Sequence, residues 1–376
     1  MNFGFDEEQK SLAHTVAQQL ADFPELTAPA LVPQHDDRVW RALSELGLFA
    51  LLVPERSGGV GLGLVDLALA IEALGAGLAP PAVISTLAAT DVILLHGTEM
   101  QQRNLLPRIA SGDLKIAIAL LEPESGYNVL AFSTTLAGNM LRGEKVLVAD
   151  AAGADLLMVV ARGDDGPLIV MIELAADGVT ISPHDDLDPT SGHCAITFDR
   201  VSVSKEAILG QTAPGRAVDR LLDVSATLHA GLLIGIAARM LDASVEYAKT
   251  RVQFGQAIGA FQAIKHRCAD MAVAVEAGRS AAYYAFWAIS EEAPDRSRAA
   301  SMAKAYCGDV ARQVCNETIQ VHGGMGFTWE LGLHRFLRRS KVIEHAFGDA
   351  AWHNERILAE TLVAMNASGG RDQHAA

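Results

Sequence analysis

The sequence holds little cysteine: Cys194, Cys268, Cys307 and Cys315 are the whole set, and no two of them stand as C-x-x-C. That pattern supplies neither a zinc site nor a disulfide framework, so four separate thiols are expected. Cationic residues are also scarce, with 30 Lys and Arg against 45 Asp and Glu and a net charge of −15. A chain this acidic lacks the basic face that nucleic acid or an anionic membrane would require. A bound anion needs only one local arginine, so it stays possible. No apolar run reaches the roughly 18 residues of a membrane span, and Met1-Asn-Phe-Gly-Phe-Asp-Glu-Glu8 is acidic where an export signal is basic. The cytoplasm is the expected location.

What is present is a large hydrophobic fraction, half of 376 residues, enough to bury the core of two or three lobes. Residues 1–114 read as a helical domain. Asp6 can cap a helix to about Phe23, Asp36 another to Leu46, Leu64 to Leu74 is a third, and Thr98, with Gln101 three residues on, can cap a fourth. The glycines of Val53 to Gly63 mimic a dinucleotide fingerprint, but no βαβ unit surrounds them and a Pro/Gly turn accounts for them. From Lys115 the texture changes to short β-branched runs between turn residues: Ile116 to Leu121, Thr134 to Ala137, Lys145 to Val148, Leu156 to Ala161, Leu168 to Ile172 and Ala195 to Val201, with Gly138-Asn139 as one turn. This β-domain spans 115–213. Helical periodicity returns over 215–250, 260–291, 296–321, 329–346 and 350–366, giving a C-terminal domain of 214–367 and a disordered tail of 368–376. The expected class is α+β, with a small β-barrel or sandwich between a helical domain and a four-helix bundle.

Two motifs stand out in the last part. Gln320-Val-His-Gly-Gly-Met-Gly-Phe327 strips side chains from a loop, so an anion can approach backbone N–H groups. About seventy residues upstream, Arg251-Val-Gln-Phe-Gly255 adds a guanidinium suited to a pyrophosphate, an amide and an aromatic face. Taken singly, Arg251 would be an ordinary surface cation and Phe254 and Phe261 ordinary core. His322 is best read as a loop histidine making backbone contacts, and His184-Asp-Asp186 and His35-Asp-Asp37 as turns and caps rather than metal ligands.

With Ile258 and Phe261-Gln262-Ala-Ile264, these motifs resemble the C-terminal half of the acyl-CoA dehydrogenase family, and the order helix, sheet, helix resembles it along nearly the whole chain. The resemblance implies FAD-dependent oxidation of an acyl-CoA to the trans-2-enoyl-CoA, a carboxylate base taking the α-proton, and electron-transfer flavoprotein as acceptor. It also implies that Arg251, Gln253, Phe254, Phe261, Gln262, Gln320, Gly323 and Gly324 hold the FAD of a neighbouring subunit. Glu72-Ala-Leu-Gly75 is similar to the family's turn into the third helix.

The parts of the pattern that serve a subunit's own flavin are altered. The family's Thr-Glu-Pro-x-x-Gly-Ser-Asp run reads Leu121-Glu-Pro-Glu-Ser-Gly-Tyr-Asn128, and its Trp-Ile-Thr/Ser triplet reads Leu147-Val148-Ala149. Hydroxyls and stacking area are both lost. The usual base position falls on Phe347 and the alternative one on Ser225; neither accepts a proton unaided. Asp223, Glu344 and Asp349 are the nearest acids, each more readily an exposed or capping carboxylate, and Asp223 is the candidate base that remains. His322-Gly-Gly-Met-Gly-Phe-Thr-Trp-Glu330 resembles the base-lacking branch found in heterotetramers of bacterial steroid side-chain catabolism. One reading is therefore a non-catalytic subunit completing a related partner's FAD site, for a bulky or steroid-derived acyl-CoA. The alternatives are an active homotetrameric dehydrogenase with a relocated base, or a flavin-free scaffold.

Overall fold

The first helix opens as its sequence dictates. In the computed structural model, which describes residues 4–28, 37–210 and 213–369, Asp6 accepts the Gln9 N–H at 2.8 Å while the Gln9 side chain accepts the Asp6 N–H at 3.0 Å. That capping box starts α1 (Glu7–Ala21). Next come α2 (Asp37–Glu45), α3 (Ala68–Ala76), α4 (Pro81–His96) and α5 (Glu99–Ala110), the last capped by Thr98 with Gln101. The cap expected at Asp36 lies outside the described residues. The third expected helix begins as a 3-10 turn, Leu64–Leu67, before α3 proper.

The sequence pattern places no helix where α4 stands. From Val83 to Ile93 every residue of α4 is buried, so there is no polar face to produce a helical period, and Pro81 at its first turn is a helix-start signal only in hindsight.

A mixed eight-stranded sheet follows: β1 (Ile116–Ala119), β2 (Thr135–Ala137), β3 (Met140–Val148), β4 (Leu156–Gly163), β5 (Gly166–Glu173), β6 (Val179–Pro183), β7 (Cys194–Ser202) and β8 (Ile208–Leu209). The order is β6-β7-β3-β2-β4-β5-β8, with β1 parallel to β4. Gly138, at φ +61°, turns β2 into β3. Along β4, Leu156, Met158 and Val160 join the main helical core while Leu157, Val159 and Ala161 join a second core on the other face. Both faces are covered, so the run reads as continuously apolar. β6 and β8 were not anticipated; β6 has no buried residue and β8 is two residues long.

The last part holds α6 (Pro214–Thr250), a hairpin of β9 (Val252–Gln253) and β10 (Gln256–Ala257), then α7 (Gln262–Ser290), α8 (Arg296–His322), α9 (Leu333–His345) and α10 (Ala350–Gly369). α8 packs against α6, α7, α9 and α10. Ser368 and Gly369, expected in a disordered tail, continue α10. Contrary to the hydropathy reading, residues 215–250 are long and apolar enough to cross a membrane, but 89 % of their most apolar window is buried inside the protein.

α3 crosses α6 at backbone distance. A Cβ on Gly75 would lie 2.2 Å from the Leu232 carbonyl oxygen, and one on Gly235 would lie 1.9 Å from that of Glu72. Neither neighbour can rotate away, because each is main chain. Gly235→Ala should therefore cost more than the ~1–3 kcal/mol of ordinary core overpacking and lower the thermal midpoint by several degrees. An unchanged midpoint in thermal and urea unfolding would show that the helices do not cross this closely.

Candidate functional site

The two glycine-rich and arginine-bearing motifs, distant in sequence, meet at one end of the C-terminal bundle. α6 and α8 run side by side there: the Ser244 hydroxyl donates to the Thr318 hydroxyl at 2.9 Å, and the Tyr247 ring stacks on His322 at 4.2 Å. Just beyond, Arg251 ends α6 and Gly323 ends α8. The Arg251 side chain is exposed and has no partner among the described residues. Phe254 and Gly255, at φ +53° and +84°, form the two-residue turn between β9 and β10, which holds the Phe254 ring 92 % exposed and edge-on to Phe261 at 6.1 Å. Gln253 and Gln320 are exposed, and Gln262 is the first residue of α7.

Gly323 adopts φ +59°, and a Cβ at Gly323 or Gly324 would meet nothing within 4 Å. The open space fits a closely approaching phosphate. One expectation changes: the Gly323 N–H is not bare but bonds the Gln320 carbonyl to end the helix. His322 is the last residue of α8 rather than a loop residue, and its Nδ1 lies 2.8 Å from the Thr318 carbonyl.

A second site lies between the sheet and the helices. It is a cavity of about 700 Å³ including its mouth, walled by Leu121, Leu147 and Ala149 from the β-domain, His229 and Leu232 from α6, and Phe347 after α9. These include the positions that the sequence resemblance expected to meet a flavin and to carry the base. Among the described residues no carboxylate lines it. Phe347 sits at φ +55° with its ring 5.0 Å from that of His229. Ser225 is fully buried and its hydroxyl has no partner.

The nearest acids are engaged elsewhere. Asp223, the remaining candidate base, is 1 % exposed, bonded by Arg356 and the Ser297 hydroxyl at 2.5 Å each, and absent from the cavity wall. This corrects its reading as a base, since a carboxylate neutralised in a buried ion pair has no access to substrate. Glu344 pairs with Arg312 at 2.9 Å, and Asp349 accepts the Trp352 N–H at 2.9 Å at the start of α10.

The Leu121 loop is anchored by a buried ion pair. Lys145, fully buried on β3, donates to Glu122 at 2.8 Å and to the Leu120 carbonyl at 2.9 Å. Burial alone would raise the Glu122 carboxyl, but hydrogen bonds from Lys145, Thr134 and Ser133 outweigh it and hold it down at about 2. Tyr127, which replaces the usual serine, donates its hydroxyl to the His345 carbonyl. Sequence reasoning missed two wall residues, His193 and His229. His193 pairs through Nδ1 with Asp186, which had been read as a turn residue.

Fold and motifs together define a class, the acyl-CoA dehydrogenases. The chain belongs to that family: residues 6–113 match the acyl-CoA dehydrogenase N-terminal domain and 215–362 its C-terminal domain. FAD is the cofactor that goes with it. The chain is 32 % identical to a probable acyl-CoA dehydrogenase, YngJ, of Bacillus subtilis, over 95 % of this chain and 98 % of that one. Among solved structures it is similar to butyryl-CoA dehydrogenase from Megasphaera elsdenii (TM-score 0.90, 26 % identity, 96 % and 100 % covered). It is also similar to a Tcur3481-Tcur3483 steroid ACAD variant (TM-score 0.86, 31 % identity, 96 % and 99 % covered).

Glu122→Gln strands a buried ammonium and should destabilise the protein by about 3–5 kcal/mol. Because the Glu122 carboxyl is depressed from 4.5 to about 2, its contribution is present above pH 4.5 and is lost as pH falls toward 2. The gap between wild type and variant, followed by urea unfolding, should close over that window; a constant gap would assign the stability to something else.

Proposed function

We propose that this chain is the non-catalytic subunit of a heteromeric acyl-CoA dehydrogenase and lends its Arg251 and Gly323-Gly324 surface to the FAD of a related, base-bearing partner. The observation that carries this reading is the placement of the two sites on one rigid helix. His229 at the cavity and Arg251 at the donor surface are separated by 22 residues of α6, about 33 Å of helix axis at 1.5 Å per residue. A donor surface at that remove, exposed and unpartnered, suits a neighbour's dinucleotide. The cavity meanwhile has apolar Leu121, Leu147 and Ala149 at the flavin-contact positions and Phe347 at the base position. A positioned base is worth ~10²–10⁴ in rate, so a chain without one is close to silent alone.

When bound, FAD supplies the hydride acceptor. This chain's part is to hold: the Arg251 guanidinium would pair with the pyrophosphate, the open glycine loop would let it approach, and Phe254 and Phe261 would offer aromatic faces to the dinucleotide. The likeness to a steroid ACAD supports a bulky, steroid-derived acyl-CoA as the assembly's substrate, with electron-transfer flavoprotein as electron acceptor. The cytoplasm is the location that fits this role.

The chain purified alone should show little visible flavin absorbance and no bleaching with acyl-CoA; both should appear when it is co-purified with a co-encoded dehydrogenase. Full flavin and bleaching in the chain alone would favour an active homo-oligomer instead. In the mixed assembly Arg251→Ala should weaken FAD retention by ~1.5–3 kcal/mol, the worth of a charged hydrogen bond. Unaltered FAD affinity would take Arg251 out of the cofactor site.

A further inference from the structure

Two histidines that play no part in the donor surface stand in the cavity wall: His193, on the loop leading into β7, and His229, on α6. Each has one ring nitrogen committed. Asp186 engages Nδ1 of His193, and the Ser225 carbonyl engages Nδ1 of His229 at 2.7 Å. A carboxylate and a carbonyl only accept, so both rings carry a proton on Nδ1. Neither Nε2 has a protein partner among the described residues. Burial, helped by the charge of Lys304, pushes His229 down to about 4 against the pull of the Ser225 carbonyl, so its ring is neutral and its Nε2 bears a lone pair.

The cavity's cation is paired with a buried carboxylate. Arg339 donates through Nε to Asp188 at 2.5 Å, through Nη1 to the Ala79 carbonyl at 2.9 Å, and through Nη2 to the Thr190 hydroxyl at 2.7 Å. The Asp188 carboxylate balances that positive charge, and the Asp186 carboxylate lines an adjoining pocket that shares Leu121, Leu147 and His193 with this one. The rest of the wall is mostly apolar, with only a few polar groups to orient a ligand.

We infer that this cavity binds a neutral, largely apolar molecule carrying an O–H donor, whose hydroxyl is received by Nε2 of His229 with His193 on the β-domain wall. Occupation requires neither a partner subunit nor the donor surface, so this inference can fail while the proposed function stands, and the reverse.

The test uses 2-naphthol, its methyl ether 2-methoxynaphthalene, and the anion 2-naphthoate as probes, titrated into the full chain by fluorescence. Naphthol should bind about tenfold more tightly than the ether, the worth of one buried hydrogen bond, and naphthoate should bind least. His229→Phe should bring naphthol and ether together while leaving ether affinity in place. Equal binding of naphthol and ether to the wild type, preferred binding of naphthoate, no binding of any probe, or a co-purifying flavin that excludes all three would each overturn the inference. The wild-type comparison decides even if the variant does not fold.

Discussion

The backbone contact between α3 and α6 sets the position of almost everything else. Gly75 and Gly235 let two buried helices touch main chain to main chain, and any side chain in between would push the N-terminal domain off the bundle. The contact is reinforced beside the crossing, where Arg279 of α7 binds Glu72 of α3 through Nε and Nη2, and further along, where Arg220 of α6 binds Asp91 of α4 at 2.6 and 2.8 Å. α6, 37 residues long, is thereby fixed as a straightedge with the cavity at its middle and Arg251 at its far end.

The loop after α9 is tied down by side chains from other parts of the chain. The C-terminal end of α9 presents carbonyls that need donors, and this chain supplies them: Tyr127 serves His345, while Lys304 serves Glu344 and Gly348 at 2.8 Å each. Burial pushes the Lys304 ammonium down to about 7, and its N–H groups satisfy both carbonyls. The turn that carries Phe347, at φ +55°, is therefore held by side chains.

Legibility in the sequence followed the range of the interactions. The capping boxes at Asp6 and Thr98 were readable because both partners lie within three residues. The glycine and arginine motifs were readable because their residue types state a chemistry wherever they fall. α4 was not, since burial on every side erases the polar-apolar period. Nor was the β9–β10 hairpin, whose strands are two residues each and whose turn puts a phenylalanine at positive φ. The cavity was legible only as absences: Leu121, Leu147 and Phe347 stood where other side chains were expected. What occupies its wall instead comes from six separate parts of the chain.

Sequence alone determined the family and the arginine- and glycine-bearing motifs that pointed to it, because each is written in the identity of a single residue or a short run. Tertiary structure decided that Asp223 is locked to Arg356, that His193 and His229 share one cavity, and that Arg339 is paired with Asp188. Whether a polar group is free to act depends on what else lies within hydrogen-bonding distance. That neighbourhood is assembled by packing from segments far apart in the chain.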